Sequence, residues 1–496
     1  MDPRDVKIIK AAAVLGAAAA NAVRMTVRAA ALKPAPAPVE PLPEEKVDVD
    51  KYIKDLSDAV KIKTISNFDK SLIDYAPFEE FRAFLDERFP LIAKELRKEV
   101  LADGALLYTW KGEDPTLDAV ALLAHQDVVP VQEGTEKDWT YPAFDGVVAD
   151  GFIWGRGTLD IKNHLICVME AVETLLSEGC KPHRTVYLAF GHNEEVAATD
   201  ENNGASIIMR ELQSRGVRLD SVIDEGGAIL PVDVKGVVHK NIAGIGIAEK
   251  GQVDVKVSVP GPGGHSSEPP VHSAIGRLAK VIQNIEDHQF KAEMTPLMDD
   301  LIDRFRRNAE FPVRLVLQDY RLIRPLILRA MRSIRPSACM VRTTTAVTQC
   351  WGSPAPNVLP QIASINVNSR IMPGQTMDDV VEHFRRVCGD KEATFEIIKG
   401  LNPSKISPTD SRAFRNIEKI CRSMNSDNVV VPYLVMGGTD ARRYEPICDN
   451  IYRYSPFLVD MSLLSTTHGT NERIPLSSLE DGLRFFKYYI KANAGE

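Results

Sequence analysis

Short apolar runs alternate with amphipathic patterns over most of the chain. Ala119–Ala124 (AVALLA) ends at His125. Val186–Phe190 (VYLAF) ends at Gly191-His192-Asn193-Glu194-Glu195, and Ser221–Ile223 ends at Asp224. Between the first two runs, Asn163–Ser177 repeats apolar residues at helical spacing. Runs that are apolar at every position suit strands covered on both faces. Separated by helices, they predict an α/β domain with a mixed, largely parallel sheet. Ligands bind beyond the carboxyl ends of such strands, so the polar residues closing these runs are the first candidates for chemistry.

The pattern changes after Gly251. Gln252–Val259 (QVDVKVSV) alternates with period two, and a helical pattern follows at Ser273–Ile285. Strand patterns at Thr343–Cys350 and Gln361–Arg370, a helix at Met377–Cys388 and a strand at Thr394–Ile398 complete a β-α-β-β-α-β order. That order predicts an inserted, ferredoxin-like α+β unit over residues 247–401, carrying an extra helical stretch at 291–340. Residues 47–246 and 402–496 are assigned to one split main domain.

Residues 1–46 differ in kind. Ala11–Val23 is uncharged and too short to span a bilayer, but it has the length of a signal-peptide core. Lys7 and Lys10 precede it, and Ala20-Asn21-Ala22 offers a small-x-small cleavage site. These features point to the secretory route. Asp2, Asp5 and the lack of any Asn-x-Ser/Thr acceptor point the other way, towards a tail with no address. The proline-rich stretch from Lys33 to Pro43 reads as a spacer, with the folded body expected from about Val47.

Composition narrows the classes. Against 60 Lys+Arg stand 68 Asp+Glu, a net charge of −8, which argues against a nucleic-acid partner. With 44% hydrophobic and 26% charged residues the chain is ordinary globular material. Seven Cys without a C-x-x-C spacing exclude a disulfide scaffold and a thiolate zinc knuckle. The average conceals one basic stretch. Residues 314–335 hold six Arg and one acid, Asp319, among leucines, isoleucines and Val316. Such a stretch either touches lipid head groups or an acyl chain, or is a structural hairpin or dimer face with solvated arginines.

The candidate chemistry is a set of acids and histidines. In His125-Gln126-Asp127 the outer two side chains share one strand face, so Asp127 can orient the imidazole. Taken alone, H-x-D is common by chance. Asp160, in Gly155-Arg156-Gly157-Thr158-Leu159-Asp160, could equally cap the following helix. Glu194-Glu195 repel one another unless a cation or proton intervenes, and a solvated loop is their usual fate. Asp224 closes the third run, with Glu225 able to take its place. His468 lies far downstream, where a lone His is usually structural. Together these form a His/Asp/Glu set without thiolates, suited to zinc, manganese or cobalt in a hydrolytic site.

The blocks LLAHQDVVP, WGRGTLDIK, GHNEEV, IDEGG, PGGHSS, NVLP and GTDARR resemble the di-zinc aminoacylase/carboxypeptidase family of metallopeptidases. VRTTTAVT, SRIMPGQT and HGTNERI are similar to its carboxypeptidase S branch, which includes N-fatty-acyl-amino-acid synthase/hydrolases. The resemblance runs from about Val47 to the end. It implies two Zn²⁺ per chain, which Co²⁺ or Mn²⁺ can replace. Asp160 would bridge them, with His125 and Asp224 on one side and Glu195 and His468 on the other. It implies Glu194 as general base and Asp127 as the partner of His125. His265 would reach the reacting carbonyl from the inserted unit, which can pair two subunits. Arg370, Asn357, Gly438 and Thr439 would contact substrate. The implied reaction is hydrolysis of N-acyl amino acids, fatty-acyl ones included, with a free carboxylate on the amino-acid side and the reverse condensation open to mass action. A short-peptide exopeptidase is the alternative, and a non-catalytic binding protein on the same scaffold is a remote one.

Overall fold

The computed structural model describes residues 24–32, 39–102, 104–196 and 201–495. The Ala11–Val23 run and most of the proline spacer lie outside the described residues.

Strand Ala119–His125 is buried at every position, and its side chains divide by period two between two cores. Val120, Leu122 and Ala124 face a core built with helices Val49–Lys61, Lys162–Ser177, Arg412–Met424 and Leu479–Ala494. Ala119, Ala121 and Leu123 face a second core with helix Gly204–Ser214 and Tyr444. A strand covered on both sides must be apolar throughout, which is the pattern its sequence carries.

The central sheet has nine strands. Ala119–His125 lies parallel to Val186–Gly191 on one side and to Leu219–Asp224 on the other. Ile451–Arg453 continues the parallel set, and Asn428–Val435 runs parallel to Val238–Glu249. Arg97–Leu101, Ala105–Trp110 and Ile229–Val234 pair antiparallel. The fold is therefore α/β with a mixed, largely parallel sheet. Because three parallel strands end side by side, with His125 opposite Gly191 in register, the residues just beyond them meet at one rim.

Gly251–Pro260, Thr344–Trp351, Ile362–Ile371 and Thr394–Leu401 form a separate antiparallel sheet. Helices Ala274–Asp287 and Met377–Val387 cover it, with Val253, Val255, Val257, Val281, Ile365 and Phe384 in its own core.

The extra stretch 291–340 behaves differently from the sequence expectation. Helix Pro296–Asn308 packs on strand Asn428–Val435, and Leu297, Met298, Leu301, Leu328 and Met331 join the core of the main sheet. Arg304 pairs with Glu418 of helix Arg412–Met424 at 2.6 Å and donates to the Val430 carbonyl of the strand at 3.4 Å. The apolar stripe of helix Pro296–Asn308 is legible in sequence, but the stripe does not say which sheet it covers. Residues just before Val47 are tied to the last helix. Glu45 pairs with Lys491 at 2.6 Å, and Lys487 Nζ donates to the Lys46 carbonyl at 2.9 Å.

Candidate metal centre

Asp160 is not a helix cap. The N-cap of Lys162–Ser177 is Ile161, with no side-chain capping bond, so the Asp160 carboxylate faces inward. Its two oxygens point to two histidines. Oδ1 lies 3.1 Å from His125 Nε2, and Oδ2 lies 2.9 Å from His468 Nε2. His125 Nε2 also lies 3.3 Å from Glu225 Oε1, and His468 Nε2 lies 3.0 Å from Glu195 Oε2. Two groups of three result, His125–Asp160–Glu225 and Asp160–Glu195–His468, each with ligand atoms within 4.8 Å of one another. Asp160 is common to both.

Here the sequence expectation is corrected. The carboxylate facing His125 is Glu225, not Asp224. Successive strand side chains point to opposite faces. Asp224, the last residue of its strand, shares the face of Val222, in the core that also holds Tyr444. Glu225, one residue further, turns to the rim and reaches His125.

Asp127 does more than orient His125. The closest acceptor for His125 Nδ1 is the Asp127 backbone carbonyl at 2.9 Å, with the Asp127 carboxylate at 3.4 Å. That carboxylate accepts the backbone N–H of Glu194 at 3.1 Å and of Glu195 at 3.2 Å, and the Ser66 hydroxyl at 2.5 Å. It therefore pins the turn that carries both glutamates. Burial alone would raise the Asp127 carboxyl, yet the bonds from His125, Ser66 and the Glu194 N–H hold it below the usual range.

The charge balance fits cations. Burial, then the charges of neighbouring acids, pushes the Glu194 carboxyl well up, and Glu195 rises for the same reasons. Glu225 is pushed up to about 8, Asp224 to about 6 and Asp440 to about 7, each chiefly by burial. His468 rises to about 10 through its bonds to Asp160 and Glu195. Glu195 Oε1 is buried without a hydrogen-bond partner among the described residues. Carboxylates crowded in this way are stable as anions only beside positive charge. One imidazole and one further carboxylate on each side of a shared Asp suit zinc or a similar divalent ion.

Two residues that sequence reasoning missed hold the two halves together. Glu472 Oε1 accepts the backbone N–H groups of Gly157 at 2.9 Å and Leu159 at 2.8 Å, just before Asp160. Its other oxygen pairs with buried Arg156, which also donates to the Gly469 carbonyl at 3.1 Å, beside His468. Both lie inside motifs read from the sequence, WGRGTLDIK and HGTNERI. Their pairing was not legible across a separation of 316 residues. Removing one partner of a buried ion pair typically costs about 3–5 kcal/mol. Glu472→Ala is expected to destabilise the protein by that order and to loosen metal binding. Denaturant unfolding with and without added zinc checks it, and unchanged stability would contradict the role.

The remaining candidates are not gathered at the cluster. His265 sits on a two-residue ribbon opposite Val358, exposed, its Nδ1 2.8 Å from Ser267 Oγ. Asn357 accepts the Ser266 N–H through its carbonyl at 3.0 Å. Among the described residues neither makes an ion pair or hydrogen bond with the acid cluster. Arg370 pairs in register with Gln252 and Thr344 on the second sheet. Nearby, burial and the charges of Arg370 and Arg342 push Lys250 down to about 8. Gly438 and Thr439 follow strand Asn428–Val435, and the Thr439 hydroxyl donates to buried Glu249 at 3.0 Å. Glu249 in turn accepts from Arg453 Nε at 2.7 Å.

A parallel-sheet rim with two overlapping His/Asp/Glu groups defines a metal-dependent hydrolase. The chain belongs to Peptidase family M20/M25/M40, whose family model matches residues 121–492. It is 35% identical to a probable carboxypeptidase S-like 2 of Dictyostelium discoideum, over 88% of this chain and 84% of that protein. It is 32% identical to the N-fatty-acyl-amino acid synthase/hydrolase PM20D1 of Homo sapiens, over 89% of this chain and 87% of the relative. Among solved structures it resembles the M20 family metallo-carboxypeptidase Sso-CP2 from Sulfolobus solfataricus, with a TM-score of 0.62. That match has 17% identity and covers 89% of this chain and 99% of the other, so it speaks for the fold.

Proposed function

We propose that this enzyme uses two zinc ions to hydrolyse N-acyl amino acids with a long apolar acyl group and a free carboxylate on the amino-acid side. One observation carries the reading. The His/Asp/Glu cluster opens on a cavity of about 490 Å³ whose wall includes Asp160 and Glu225. The rest of the wall is mostly apolar, with Leu230, Ile242, Leu301, Val431, Phe457 and Val459. An alkyl chain gains about 0.8 kcal/mol per methylene buried in such a wall, a peptide much less. The name of the human relative supports the same substrate class.

His125, Asp160, Glu195, Glu225 and His468 would hold the ions, with Co²⁺ or Mn²⁺ as substitutes. Divalent ions held there would supply Lewis-acid polarisation of the amide carbonyl and would make water more acidic at neutral pH. Glu194 takes the attacking water's proton and returns it to the leaving amine. Asp127 holds Glu194 in place through its backbone N–H. Arg370 offers a planar fork for the free carboxylate, with Asn357, Gly438 and Thr439 as further contacts. His265 would approach the carbonyl from the inserted unit, of this subunit or of a second copy. Condensation is the same reaction in reverse when acid and amino acid are abundant.

The alternative, a short-peptide exopeptidase, draws on the carboxypeptidase S-like relatives. Steady-state hydrolysis of N-oleoyl-phenylalanine, N-acetyl-phenylalanine and a blocked dipeptide separates the two. The expected order of kcat/KM is oleoyl above acetyl by at least tenfold, with the dipeptide lowest. A dipeptide preferred over the oleoyl substrate would overturn the acyl reading and leave the exopeptidase.

A further inference from the structure

Four large apolar side chains within residues 316–334 are unusually open to solvent: Val316 at 60%, Leu322 at 79%, Leu326 at 67% and Ile334 at 58%. They belong to helix Phe311–Leu317, the turn Tyr320–Ile323, helix Arg324–Ser333 and the residue after it. The inner face of helix Arg324–Ser333 is accounted for, because Leu328 and Met331 pack on the main core. Leu326, on its outer face, joins none of the three buried cores. Leu326, Arg329 and Ser333 follow one another at spacings of three and four, which aligns them along that face, and exposed Leu322 lies in the turn just before the helix.

Basic depressions flank these leucines. One, of about 620 Å³, is lined by Arg24, Arg28, Arg306, Arg307 and Arg321, with Leu322 at its edge. Asp303 and Asp319 are its acids, and they pair with Arg306, Arg307 and Arg28. The other, of about 330 Å³, is lined by Arg329, Arg332, Ser333 and Arg342, without an acid. Arg321, Arg329 and Arg332 take no carboxylate partner among the described residues. The helix 24–31 is tied to this patch, with Arg28 3.5 Å from Asp319 and Arg314 donating to the Leu32 carbonyl at 3.3 Å. In sequence, the uncharged Ala11–Val23 run directly precedes that helix.

We propose that this face, helix 24–31 with residues 311–334, docks on an anionic phospholipid surface. The chemistry is complementary at two levels. Exposed Leu322, Leu326, Val316 and Ile334 can enter the boundary between head groups and acyl chains. The unpaired guanidiniums beside them meet lipid phosphates in a geometry that Arg favours. The remainder of a chain with net charge −8 is repelled by the same surface, which orients the protein with the patch inward. This inference stands apart from the substrate reading, since none of these residues lines the metal cluster.

Flotation of the full chain with vesicles of phosphatidylcholine alone, and with about one-third phosphatidylserine, tests it. Binding to the anionic vesicles is expected, weakened at high salt. Each Arg near an anionic surface contributes about fivefold in affinity. Arg329→Glu with Arg332→Glu is therefore expected to weaken binding at least about 25-fold. Leu322→Ser with Leu326→Ser is expected to weaken binding to the anionic vesicles by a further, salt-independent amount. Hydrolysis of N-acetyl-phenylalanine and the thermal midpoint report whether each variant is folded. The salt titration of the unaltered protein tests the proposal without any variant. No binding to either vesicle, or equal binding by wild type and both folded variants, would overturn it. A wild-type dimer by light scattering that the leucine variant dissolves, with no vesicle binding, would assign the face to a second copy and overturn it too.

Discussion

Glu194→Gln is expected to leave the metal content unchanged and to lower kcat for amide hydrolysis by about 10²–10⁴-fold, the usual worth of a positioned general base. Glu194 stands outside both groups of ligand atoms, so its loss takes nothing from the cations. Gln fills the same space but cannot take a proton. The environment suits a base. Burial and the charges of Glu225, Asp440 and Glu195 push the Glu194 carboxyl well above the ordinary range, opposing the field that bound cations would add to lower it. KM should change little, because the lost interaction belongs to the transition state. Parallel metal analysis and steady-state kinetics check the prediction. Metal and kcat falling together would mark Glu194 as a ligand, and retained turnover would remove the mechanism.

The second large effect separates two neighbours. Glu225→Ala is expected to weaken one of the two metal positions by more than about 100-fold, with a matching fall in activity at low zinc. Residues that only touch a ligand typically cost 10–100-fold when removed, and a ligand should exceed that. Asp224→Asn is expected to keep both ions. Asp224 is buried with one oxygen unpartnered, on the strand face of Val222, and stands outside both groups of ligand atoms although the His125 charge reaches it. Zinc titration of the two variants by calorimetry decides between them. Loss of metal on Asp224→Asn with retention on Glu225→Ala would reverse the assignment.

That pair shows where sequence reading stops. The strands, the helix between them and the rim where they end were legible, because burial on both faces leaves uninterrupted apolar runs. His125, Asp160, Glu195 and His468 were legible as a set through family motifs. At the end of strand Leu219–Asp224, however, a one-residue choice decides which face a carboxylate takes. Periodicity has no purchase once the strand stops. Glu472 and Arg156 were written in plain sight within motifs, but a contact between distant loops leaves no local period. The stretch 291–340 gave up its helices and its arginines to inspection. Its attachment to strand Asn428–Val435 did not follow, since an apolar stripe declares that something covers it and not what. His265 and Asn357 sit together on the ribbon Gly264–His265 and Val358–Leu359, a pairing no motif announced, and no contact in the described residues brings them to the acids.

Glu249 extends the same lesson. It accepts from Arg453, Thr439 and Arg442 just where the chain passes from the main sheet to the inserted one at Gly251. No motif marked it. A fully buried acid among two arginines and a hydroxyl is satisfied in full, and such networks fix geometry more than they add stability.

The central claim is that His125, Asp160, Glu195, Glu225 and His468 hold two divalent ions that the hydrolysis requires. Elemental analysis of the purified protein, before and after chelation, with N-acyl amino acid hydrolysis followed on the same samples, tests it most directly. Two zinc ions per chain, removed by chelator together with activity and restored by zinc, are predicted. Hydrolysis that persists in protein stripped below one metal ion per chain would contradict it.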